Sequence, residues 1–98
     1  MKEKYGNLVV IIAKERLIKT IVECRLPRTF TTKTRNGDTH YYYIIPDFEK
    51  NIKLIGIRGR YYGDIKKKDQ QVIGGLCVAE ITDYHIQEFF DRFINGVN

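Results

Sequence analysis

The chain has 98 residues, 43% of them apolar and 30% charged, with 17 Lys and Arg against 12 Asp and Glu, for a net charge of +5. One small domain is the natural capacity of that length, and the apolar content is too high for a disordered tail. No apolar run reaches the ~18 residues of a membrane span, and Met1-Lys2-Glu3-Lys4 is not followed by the apolar stretch of a secretory signal, so a cytoplasmic protein with no membrane contact is expected.

In chain order, Leu8 to Ala13 is continuously apolar and of strand length, as suits a strand buried on both faces. Lys14 to Leu26 carries Leu17, Ile18, Ile21, Val22 and Leu26 at helical spacing, and Pro27 stops it; Ile18, Thr20, Val22 and Cys24 also alternate, so the segment reads as helix with strand as the alternative. From Thr29 to Ile45 two β-rich runs flank Asn36-Gly37, a dipeptide suited to a tight hairpin turn. A two-residue loop sets Arg35 opposite Asp38, Lys33 opposite His40, Thr31 opposite Tyr42 and Phe30 opposite Tyr43. One face then carries Phe30, Thr32, Tyr41, Tyr43 and Ile45 against a core, and the other Thr29, Thr31, Lys33, Arg35, His40, Tyr42 and Ile44.

Ile52 to Ile57 starts a further strand, followed by Arg58-Gly59-Arg60-Tyr61-Tyr62-Gly63-Asp64 and Lys66-Lys67-Lys68, a glycine-punctuated basic segment. Val72 to Ile81 reads as a central strand, with Gly74-Gly75 marking a bulge or a close backbone approach. Thr82 or Asp83 caps a last helix whose Ile86, Phe89, Phe90, Phe93 and Ile94 share a face and whose end is marked by Gly96. The fold class expected is α+β: a single domain, residues 1–98, with a mostly antiparallel sheet of about five strands, a helix after the first strand and a C-terminal amphipathic helix.

Charge is segregated along the chain. Residues 14–40 hold seven Lys/Arg against three acids, residues 50–68 seven against Asp64 alone, and residues 69–98 only Arg92 against Asp69, Glu80, Asp83, Glu88 and Asp91. A basic and an acidic side follow, unless folding mixes them. Lys33, Arg35, His40 and Tyr42, with Arg58, Arg60, Tyr61, Tyr62, Lys66, Lys67 and Lys68, interleave cations with aromatic rings. Phosphate neutralisation needs the first and base stacking the second, so nucleic-acid binding is the leading expectation.

Other chemistry is thinly represented. The chain has no serine, so serine nucleophiles are excluded; Cys24 and Cys77 sit in apolar contexts as expected buried, reduced thiols; no cofactor-binding motif or metal-ligand spacing occurs. Asp64 followed at a distance by Glu80-Ile81-Thr82 resembles the metal-dependent nucleases of the PD-(D/E)xK class, with Gly63 where Pro is usual and Thr82 where Lys is usual. That resemblance implies a Mg²⁺ held by Asp64 and Glu80. His40 and His85 would make an acid–base pair for RNA cleavage if they met. The three Phe of the last helix suit a core or a homodimer seam, and its acidic outer face suits a basic protein partner. The latter would make the chain an interaction module or inhibitor, of the kind viruses and other mobile elements encode.

Overall fold

The computed structural model describes residues 7–68 and 77–94. Strand β1, Asn7–Ala13, buries Val9, Ile11 and Ala13 toward one side and Leu8 and Val10 toward the other, as a central strand must. It lies antiparallel between β3 (Thr39–Ile45) and β5 (Tyr61–Lys67), in registers that run from Asn7↔Ile45 to Ala13↔Thr39 and from Val9↔Lys67 to Ala13↔Gly63. Outside these lie β2 (Thr31–Lys33) and β4 (Ile52–Ile55), giving the order β2-β3-β1-β5-β4. A sixth strand, β6 (Ala79–Glu80), runs parallel to β3 beside Tyr43 and Ile44. The expected α+β class holds. The central strand expected over Val72 to Ile81 does not: its described part pairs at the outer side of β3, and residues 72–76, with Gly74-Gly75, lie outside the described residues.

Helix α1, Arg16–Arg25, confirms the helical reading of its segment and buries Ile18 and Val22. Leu17, one position before Ile18 on the turn, is left exposed. Both cysteines are exposed rather than buried. Cys24 follows Val22 by two residues, which turns it some 200° away from the buried stripe.

The last helix is two pieces, α2 (Asp83–Phe89) and α3 (Asp91–Ile94), where one was expected. Thr82 is the N-cap, and His85 turns its Nδ1 back to accept the Thr82 N–H at 3.2 Å. At Phe90 the backbone leaves the helix (φ −115°, ψ 19°), although its N–H still reaches Ile86 O at 3.1 Å. Phe90 and Phe93, on either side of the break, are both buried in the core, while Phe89 sits half-buried with the Arg25 guanidinium 5.4 Å from its ring centre. Truncating either buried Phe to Ala would cost about 3–5 kcal/mol. Ile18, Val22, Ile86, Phe90 and Phe93 join one cluster with Val9, Ile11, Tyr41, Tyr43, Leu54 and Ile65, so all three helices pack on the same face of the sheet.

Two departures from simple alternation decide where the basic and aromatic side chains go. The first is the hairpin register. Thr31 pairs with Tyr41, Thr32 with His40 and Lys33 with Thr39, one residue off the expected pairing. The Thr34 N–H bonds Asp38 O at 2.9 Å and Gly37 N–H bonds Thr34 O at 3.0 Å, closing a three-residue loop with Gly37 at φ 91°. Such a loop ends in a left-handed residue just as a two-residue turn does, and Asn-Gly serves both. The slip flips β2 but not β3. Tyr41, Tyr43 and Ile45 face the core as expected, whereas Phe30 now lies with Tyr42 on the opposite face, ring centres 5.5 Å apart, and Lys33 turns to the helix side.

The second is a bulge between β4 and β5, where the register passes from Leu54↔Gly63 to Ile55↔Tyr61. Gly63 has φ 148°, and a Cβ there would stand 2.0 Å from the Ile12 carbonyl oxygen, so only glycine fits. The bulge exchanges the faces of the two preceding tyrosines. Tyr62 turns inward, its ring 5.1 Å from that of Phe93 and against Gly56, and Tyr61 turns to the face away from the helices.

Candidate nucleic-acid interface

Because β3 and β5 are both antiparallel to β1, three connections emerge at the same end of the sheet: the β1–α1 turn with Lys14 and Glu15, the β2–β3 loop from Thr34 to Asp38, and the β4–β5 loop from Gly56 to Arg60. Lys14, Lys19, Lys33, Arg35, Arg58 and Arg60 therefore gather at this end, although they come from three separate stretches of sequence. Local contacts tie the turns together. Lys14 Nζ lies 2.8 Å from Asp38 Oδ2, Arg60 Nη2 lies 3.2 Å from Glu15 Oε1, and Lys19 Nζ donates to Gly37 O at 3.2 Å. Exposed pairs of this kind add little stability, but they fix the orientation of neighbouring loops. Asp47, Glu80 and Asp83 lie toward the other end, so the segregation read from the sequence survives folding in part.

Arg58 stands out within this rim. Its φ of 67° makes it the one non-glycine residue with a left-handed backbone among the described residues, and it is exposed. A Cβ in that region of backbone space costs free energy.

Around the corner, the face away from the helices carries His40, Tyr42, Asp64 and Lys66 beside Ile12 and Val10. Tyr61 donates its hydroxyl to the Asp64 carboxylate, and the Lys14 and Lys53 ammonium groups stand 5.8 and 5.6 Å from its ring centre. The bond to Asp64 pushes the Tyr61 phenol up to about 12, so it is neutral at physiological pH. Partial burial holds His40 below its ordinary value, against the pull of Asp38 and with the help of Lys68 and Lys14, so its ring is predominantly uncharged near pH 7.

The residues singled out by sequence divide accordingly. Lys33, Arg35, Arg58, Arg60 and Tyr61 meet at the sheet end, while His40, Tyr42, Lys66 and Lys68 lie on the adjoining face, with Lys68 acting electrostatically on His40. Tyr62 belongs to the core side, although the Arg60 guanidinium caps its ring at 5.6 Å. Lys67 points away from Lys66, and its N–H is held by Asn51 Oδ1 at 2.9 Å. Sequence reasoning passed over Lys14, Lys19 and Lys53. Lys53 alternates with Leu54 on a strand and was readable as outward-facing, whereas the other two join only through the turn geometry.

The catalytic alternatives find no geometric support. Asp64 and Glu80 are three strand spacings apart and displaced along the strands by four residues, a separation of roughly 20 Å between backbones, too far to share one ion. Among the described residues, no three His, Cys, Asp or Glu side chains are grouped to hold a metal. His40 faces away from the helices while His85 is engaged in the α2 cap, so the two lie on opposite sides of the sheet.

A separate open groove of about 490 Å³ lies on the helix side, between the end of α1 and β2–β3. Tyr41 and Tyr43 form part of its lining; Tyr41 donates to Glu23 Oε2 and Tyr43 to Pro27 O, each at 2.7 Å. Burial pushes the Tyr43 phenol up to about 12, and burial with the Glu23 bond raises Tyr41 further. No helix among the described residues is long and apolar enough to cross a membrane. In comparisons with known protein families, with curated proteins and with solved structures, the chain matches none.

Proposed function

We propose that this protein is a small, non-enzymatic nucleic-acid-binding protein whose contact surface is the basic end of its sheet and the adjoining face. The observation that carries the reading is the convergence of the 33–40 and 58–61 stretches, distant in sequence, on one end of the fold, with exposed cations at both loop tips. Cations so placed neutralise consecutive phosphates and release condensed counterions, which gives affinity with a steep salt dependence and little sequence preference. Tyr61 and Tyr42 supply rings beside those cations.

The test is fluorescence-anisotropy titration of single- and double-stranded DNA and RNA across a salt series, with and without Mg²⁺. The strands are then run on a gel. Binding that weakens steeply with salt and leaves strands intact supports the proposal. Absence of binding at low salt overturns it, and Mg²⁺-dependent cutting overturns its non-enzymatic part.

A further inference from the structure

Resting on that nucleic-acid reading, we infer that Tyr61 is a fixed stacking platform for an unpaired base, with Lys14 and Lys53 set to take the flanking phosphates, so that the preferred ligand is single-stranded. Four observations converge on this residue. Tyr61 is 38% exposed, the most open aromatic ring of the basic end, while Tyr62 beside it is packed against Phe93. The Gly63 bulge turns Tyr61 out of the core side, and bulges of this kind serve to re-aim a side chain. The ring is anchored at its far end, because its hydroxyl is held by Asp64, itself only 9% exposed, so little side-chain freedom remains to be lost on binding. Finally, two ammonium groups lie within 6 Å of the ring centre, Lys53 and, while also paired with Asp38 at 2.8 Å, Lys14, so that both stand beside a base laid on the ring face.

A duplex keeps the faces of its bases stacked on one another and offers only their edges, so a ring presented in this way is useful to an unpaired strand. Every base has a π-face, so the platform is indifferent to sequence, in keeping with a rim that reads only phosphates.

The experiment compares the intact protein on fluorescein-labelled oligothymidylate, oligouridylate, an abasic strand of the same length and a duplex of the same length, at one low salt concentration. The expected result is that either base-bearing strand binds roughly ten- to a hundredfold more tightly than the abasic one. Tyr61→Leu should abolish that difference between base-bearing and abasic strands, and Tyr61→Phe should keep most of it. Equal affinities of the wild-type protein for base-bearing and abasic strands overturn the inference, as does a preference that survives Tyr61→Leu or tighter binding to the duplex; in each case the broader nucleic-acid reading stands. Binding to none of the probes overturns both. The wild-type comparison requires no variant, so the outcome does not depend on how Tyr61→Leu folds.

Discussion

Arg58→Gly separates stability from binding, because it should improve the first and impair the second. Arg58 holds φ 67° and ψ 19° at the tip of the β4–β5 hairpin, followed by Gly59 at φ 76°. A left-handed backbone costs a residue with a Cβ roughly 1–2 kcal/mol. Glycine avoids that cost but gives back about 0.5–1 kcal/mol through the greater freedom of the unfolded chain. Arg58 is exposed, so no packing is lost, and the net gain is about 0.5–1 kcal/mol. For a domain of this size that corresponds to a rise in Tm of about 2–8 °C. Arg58→Ala removes the same charge but keeps the Cβ, and so should leave Tm nearly unchanged. Both variants should weaken binding to a polyanion and reduce the slope of log K against log salt by about 0.7–0.9, the share of one phosphate contact. Thermal melts read the first quantity and anisotropy over a salt series the second. A lower Tm for the glycine variant would refute the backbone argument; an unchanged salt slope in both would remove Arg58 from the interface.

Two further outcomes test the fold beneath the site. Gly63→Ala places a methyl group against the Ile12 carbonyl at the end of the β1–β5 ladder, and should cost about 3 kcal/mol or more, read as a lower urea midpoint. Stability should fall from about pH 10 toward pH 12, since the Tyr43 phenol is raised in the fold and the unfolded chain ionises first; the loss is about 1.4 kcal/mol per pH unit for this group, and Tyr43→Phe should make the alkaline limb shallower by that amount in urea titrations.

Much of this architecture could be read from the chain. The apolar run of β1, the 3.6-residue stripe of α1 and the alternation of β3 each follow from one dominant periodicity, and each is where the sequence puts it. The errors arise where two local solutions share one signature. Asn36-Gly37 suits a two- and a three-residue loop equally, and the choice between them moved Phe30 and Lys33 to opposite faces. The last helix shows continuous amphipathic spacing, yet the backbone leaves the helix at Phe90, a break that the spacing does not mark. The Gly63 bulge did leave a trace, since an isolated glycine after Tyr61-Tyr62 within a strand pattern is a bulge signature, and it decides which tyrosine reaches the basic surface. The clustering of Lys14 and Lys19 with the loop tips is set by sheet order alone, which periodicity does not encode.

The central claim is that cations from separate stretches act together on one polyanion. Its most direct measurement is the salt slope of the combined Lys33, Arg35, Arg58 and Arg60 to Ala variant against that of the wild-type protein, on the same labelled strand. If all four cations engage phosphates, the slope should fall by about 3, at ~0.7–0.9 per contact, with the fold retained in a thermal melt. A folded variant that binds with the wild-type affinity and slope would contradict the account.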